Sequence, residues 1–179
     1  MNKKLKLTLI ISPIVIIFLY FFTALYSFHQ FHKGIYYNDK KLIKDYVEWD
    51  DLRENFKNYI NIQLLKETQK SDELKDLGEL GVLLTGLAGK IVETMVDSYL
   101  NPEGLSMLIE KSEKKGEIPK PTLLTLIGGF TIMDFSGLSS FYITYENEGQ
   151  EFPVFFNRKG LTWKITQIEF PENLIDDMK

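Results

Sequence analysis

The sequence predicts an α+β fold carried on an N-terminal transmembrane helix. Three observations predict it. A charge-free apolar run opens the chain, helical periodicity dominates residues 34–116, and two-residue alternation dominates about 130–171. Helices first and an antiparallel meander second is the α+β pattern. The expected division is an anchor with a short cytoplasmic tail at 1–32, then a single domain at 33–179.

The anchor comes first. Leu7 to His32 contains no Asp, Glu, Lys or Arg over 26 residues. As a helix it would rise about 39 Å at ~1.5 Å per residue, where a bilayer core asks for roughly 30 Å. Thr8, Ser12, Thr23 and Ser27 can return their hydroxyls to the backbone, and Pro13 lies early, where a lost N–H costs least. Tyr20, Tyr26 and Phe28 suit an interfacial belt. A cleaved leader would be shorter and would end in small residues, but Leu25-Tyr26-Ser27-Phe28 closes this run. Lys3, Lys4 and Lys6 favour a cytoplasmic N-terminus, against which Lys33, Lys40, Lys41 and Lys44 stand at the other end.

The helical part follows. Leu42, Ile43, Tyr46 and Val47 predict a short helix over 34–47, capped by Asn38 or Asp39. From Asp50, the stripe Leu52, Phe56, Tyr59, Ile60 and Leu64 predicts a second helix, with Arg53, Lys57 and Gln63 on its polar face. Trp49 stands where a hydrophobic staple would. Ser71 is the expected cap of a third helix running to about Leu100. Within it Leu80 to Gly89 is uncharged, and Gly81, Thr85 and Gly89 fall on one side. Small residues at that spacing allow close helix approach. The favoured reading is packing within the chain; a ligand cavity and a partner face are the alternatives. Asn101-Pro102-Glu103-Gly104 predicts another helix start, and the charged stretch Glu110 to Gly116 should be solvated.

Strands close the chain. Phe141, Ile143 and Tyr145 should share one face, as should Phe152, Val154 and Phe156, and then Leu161, Trp163 and Ile165. The alternation then slips to Ile168 and Phe170, which predicts a β-bulge near Gln167. Phe130 to Met133 would add a fourth strand. Trp163 should be core, with a ligand face as its alternative.

Chemistry is sparse in this pattern. No cysteine is present, which removes disulfides, thiolate metal sites and thiol nucleophiles. His29 and His32 are the only histidines, and they are expected at the membrane edge, outside the folded domain. No nucleophile elbow, phosphate loop or dinucleotide fingerprint occurs. Asp50-Asp51 and Asp176-Asp177 read as caps or a solvated tail, and Arg53 as the partner of Glu48 or a sheet carboxylate. Beyond the three leading lysines the chain carries 18 basic and 25 acidic residues, a net −7. Such a domain repels phosphate backbones, so nucleic acid is not an expected partner.

Three stretches together resemble a bacterial family catalogued as domain of unknown function 2939. They are Asp45 to Arg53, Asn101 to Leu105, and Gly160 to Ile165 with Ile168 to Pro171. Glu48 stands where the family pattern leads one to expect Asp. The resemblance implies a membrane-anchored envelope protein and implies no activity. Helices against a curved sheet are also similar to cystatin-like and nuclear-transport-factor-like cones. The expected protein is thus a single-pass inner-membrane protein with its domain on the outer side. It is expected to be non-enzymatic, without cofactor or metal, and to bind an envelope protein or act as a scaffold. The alternative is a lipid or small apolar ligand held between the helices and the sheet, with Gly81, Thr85, Gly89 and Trp163 as its candidate face.

Overall fold

The computed structural model describes residues 3–71, 76–111, 118–147 and 149–171. The charge-free run folds as one unbroken helix, α1 (Lys3–Tyr37), with Pro13 inside it. The boundary expected at residue 32 falls within this helix. Its two halves meet different surroundings. Leu9 to Leu19 are exposed, whereas Ala24 and Ser27 are buried and Tyr20, Leu25, Phe28 and Phe31 pack on the core.

α1 stops where Asn38 turns to φ 53°, a left-handed conformation that Asn tolerates. Asp39 then caps α2 (Lys40–Asp45), its carboxylate accepting from the N–H groups of Lys41 and Leu42. The helix expected over 34–47 is therefore split between the end of α1 and this short α2. α3 (Trp49–Lys70) and α4 (Glu79–Tyr99) run antiparallel, side by side. α4 starts later than Ser71, immediately after Gly78, whose φ is 55°. The segment 72–75 lies outside the described residues, as do most of the Glu110–Gly116 stretch and the Asp176-Asp177 pair.

α5 (Pro102–Lys111) begins as its sequence predicts: the Asn101 side chain accepts from the Gly104 N–H at 2.8 Å. Gly104 is required by contact. A Cβ there would lie 1.9 Å from the Tyr99 carbonyl oxygen, inside backbone that cannot yield. Gly104→Ala is expected to cost about 1–3 kcal/mol or more by overpacking, read as a lower urea midpoint. An unchanged midpoint would mean that the α4–α5 corner is looser than this.

α6 (Leu123–Gly129) leads into a 3-10 turn (Phe130–Ile132) and the short strand β1 (Asp134–Phe135). The strand expected at Phe130 to Met133 is thus displaced, because those residues complete the helical turn. β2 (Ser140–Asn147), β3 (Gln150–Lys159) and β4 (Thr162–Ile168) follow, and the four strands form one antiparallel sheet in chain order. The slip in alternation is real. Phe155 faces Gln167 and Phe156 faces Ile165, so Thr166 is an extra residue on β4. Beyond β4, Val47 bridges to Ile165: the Glu48 N–H donates to the Ile165 carbonyl, and the Ile165 N–H to that of Tyr46.

The inner face carries Phe141, Phe156, Trp163 and Ile165, all buried. Phe141 and Phe156 are cross-strand partners with stacked rings 4.7 Å apart. One residue expected on that face is not there: Leu161 sits in the β3–β4 turn at 80% exposure. Tyr145 shares the face, opposite Phe152, but is exposed near the other end of β2. α1 crosses this face, and α3 flanks β4. The fold is therefore a mixed helical and antiparallel-sheet unit continuous with an apolar N-terminal helix.

Candidate functional site

Trp163 is fully buried where α1 crosses the sheet. Its indole N–H donates to the Thr23 hydroxyl at 3.0 Å, and its backbone N–H donates to the Ser27 hydroxyl at 3.1 Å. Tyr20 meets its ring edge-on at 5.7 Å. Thr23 and Ser27, read from the sequence as membrane-helix hydroxyls bonding their own backbone, thus also bond the sheet. Thr23 does both, donating to the Tyr20 carbonyl as well.

The Gly81/Thr85/Gly89 side of α4 lies against α3. Thr85 donates to the Gly81 carbonyl and shares a hydrogen bond of 3.0 Å with Thr68. A Cβ on Gly89 would stand 3.3 Å from the Asn61 side-chain oxygen. The face borders a groove of about 530 Å³ between α3 and α4. Trp163 does not line this groove, so the four candidate residues do not form one site. The face also meets α3 rather than the sheet.

Of the residues assigned to the polar face of α3, Arg53 and Lys57 meet α4. Gln63 is buried, and Asp97 of α4 pairs with Lys57 at 2.6 Å and with Arg53 at 3.8 Å. Arg53 also pairs with Asp50 and donates to the Leu100 carbonyl. Its expected partner Glu48 pairs instead with Lys164 at 3.2 Å, across the β4 edge. Trp49 opens α3 and packs on the core.

The histidines are not outside the fold. His32 hydrogen-bonds the Pro119 carbonyl at 2.8 Å, tying α1 to the segment that leads into α6. Among the described residues no group of three or more His, Asp or Glu could hold a metal ion. Burial raises the pKa of Tyr46 and of Tyr59, whose hydroxyl donates to the Pro171 carbonyl. A hydrogen bond to Asp51 raises that of Lys159.

An apolar cleft lies elsewhere, between α1 and α6. It measures about 690 Å³, and its walls include Phe18, Phe21 and Leu25 of α1 with Leu123, Leu126 and Ile127 of α6. Gly129 seats α6 closely, since a Cβ there would lie 2.9 Å from the Phe28 ring. Sequence reading passed over α6 as a site. Its signal was present: Pro121 to Met133 is an uncharged run of 13 residues between Lys120 and Asp134.

A family model described as "Protein of unknown function (DUF2939)" matches residues 14–108, more than half of the 179-residue chain. The chain belongs to this DUF2939 family. The DUF2939 match begins inside the apolar half of α1 and runs through most of α5. No curated protein and no solved structure matches the chain.

Proposed function

We propose that the first half of α1 anchors this protein in a membrane and that the α+β unit is a non-enzymatic protein-binding or scaffold domain. One observation carries the anchor. Nine large apolar side chains between Leu9 and Leu19 are 46–68% exposed. Leaving such a side chain in water instead of burying it costs roughly 1.5–3 kcal/mol. The stretch Leu9–Tyr37 is also long and apolar enough to cross a membrane. Lys3, Lys4 and Lys6 at its start favour an N-terminus in the cytoplasm of a bacterial cell, with the domain outside its inner membrane.

The full chain is expected to sediment with membranes and to resist carbonate extraction. Protease added to intact spheroplasts should digest the domain. Release by carbonate would end the anchor reading, and protection of the domain would reverse the orientation. The scaffold reading predicts a reproducible partner cross-linked to the domain in intact membranes.

The apolar cleft between α1 and α6 favours a second reading, in which the domain holds a lipid or small apolar ligand. That reading requires lipid to co-purify at a fixed ratio to protein after detergent exchange. Lipid content that follows the detergent wash would remove it.

A further inference from the structure

α1 leaves the sheet at Tyr20, the first residue of the helix packed on the core. Only Leu7 to Leu19 project beyond it with no charge, 13 residues. They rise about 20 Å at ~1.5 Å per residue, and a bilayer core is roughly 30 Å thick. With the α+β unit wholly in water, the anchor would fall short by about 10 Å. A core of ordinary thickness laid from Leu7 takes in about 20 residues. It therefore extends to the level of Tyr26 and immerses the end of the domain that surrounds α1.

That end is built of apolar, uncovered side chains. α6 runs beside α1, its Leu123, Leu126 and Ile127 facing a stretch of α1 from Ile14 to Leu25. The α1 wall of that cleft begins at Ile14, six residues below Tyr20 and about 9 Å along the axis. Leu123 at the rim of the cleft and Leu124 outside it are 69% and 80% exposed. The β1–β2 and β3–β4 turns lie at the same end, joined where the Arg158 N–H donates to the Ser139 carbonyl. Each presents an exposed leucine, Leu138 and Leu161. Arg158 sits 4.5 Å over the Tyr20 ring, an Arg–Tyr pair of the kind the headgroup layer accepts.

We propose that α6, together with Leu138 and Leu161, enters the acyl-chain region of the leaflet on the domain side. The protein then meets the bilayer through an apolar collar around α1 and not through a lone helix. This rests on the anchor reading, and the occupant of the face is lipid hydrocarbon, continuous with the lipid around α1. Backbone exposure is reduced, because α6 packs on α1 and at its first turn the Thr122 N–H donates to the Thr125 hydroxyl and the Thr125 N–H to the Thr122 hydroxyl.

The absence of cysteine makes the test direct. Single variants Leu124→Cys, Ile127→Cys and Leu161→Cys, labelled with an environment-sensitive fluorophore, are reconstituted as full chains in phosphatidylcholine–phosphatidylglycerol vesicles. Ile16→Cys marks the anchor and Glu103→Cys marks water. All five positions are exposed, so labelling disturbs little packing. The collar predicts quenching at 124 and 127 by lipids carrying acyl-chain nitroxides. It also predicts iodide quenching at least about fivefold weaker there than at 103, since an ion is excluded from hydrocarbon. A shielded Ile16→Cys with 124 and 127 as open to iodide as 103 overturns the collar and leaves the anchor standing. An iodide-accessible Ile16→Cys overturns both.

Discussion

A chain lacking residues 1–32 is expected to lose its cooperative fold, whereas one lacking residues 1–19 keeps it. The difference is the packed half of α1. The longer deletion removes Ala24 and Ser27 from the interior, along with Tyr20, Leu25, Phe28 and Phe31 from its wall. Phe28 and Phe31 both meet Phe156 edge-on, at 6.2 and 6.1 Å. Losing one large core side chain costs about 3–5 kcal/mol, and a whole domain is stable by only about 5–15 kcal/mol. Several such losses together exceed that margin. Near-ultraviolet circular dichroism and a thermal melt in mild detergent distinguish the two truncations. A sharp transition at the same temperature in both would show that α1 is dispensable to the core.

Trp163→Ala is expected to destabilise the protein by about 3–5 kcal/mol, the range for deleting a buried aromatic. The side chain has no exposure and fills the space between α1 and the sheet, touching Tyr20, Phe135 and Phe141. It also leaves the Thr23 hydroxyl without the indole N–H. Trp163→Phe separates the two effects. It retains most of the packing and loses the hydrogen bond, worth about 0.5–1.5 kcal/mol net. Urea unfolding of both variants measures the difference. A near-neutral Trp163→Ala would place the ring outside the core.

The two predictions meet at one contact, the crossing of α1 over β4, and it was the least legible feature of the chain. Leu7 to His32 reads as a single apolar run because lipid and a protein core select the same side chains. Composition alone could not divide it. The small polar positions Thr23 and Ser27 suit a membrane helix and suit close contact with a tryptophan equally well. A similar ambiguity affected α3. Arg53 and Lys57 looked solvated, yet Asp97 from α4 supplies an opposite charge that pairs with both. A counter-charge 40 or more residues away leaves no local trace.

Where the determinants were local, sequence was sufficient. Asn101 and Asp39 cap their helices because a short side-chain oxygen reaches free N–H groups within three residues. β2 to β4 and their inner residues Phe141, Phe156 and Trp163 follow from two-residue alternation, and the one-residue slip marked the bulge at Thr166. The α+β class, the apolar N-terminal helix and the family were all set by such short-range patterns. Tertiary structure alone decided that α1 is both projecting helix and core, and that Thr85 and Gly89 meet α3. It also placed the uncharged run Pro121 to Met133 beside α1. Those outcomes depend on which apolar surface meets which, and hydrophobic attraction carries no address of its own.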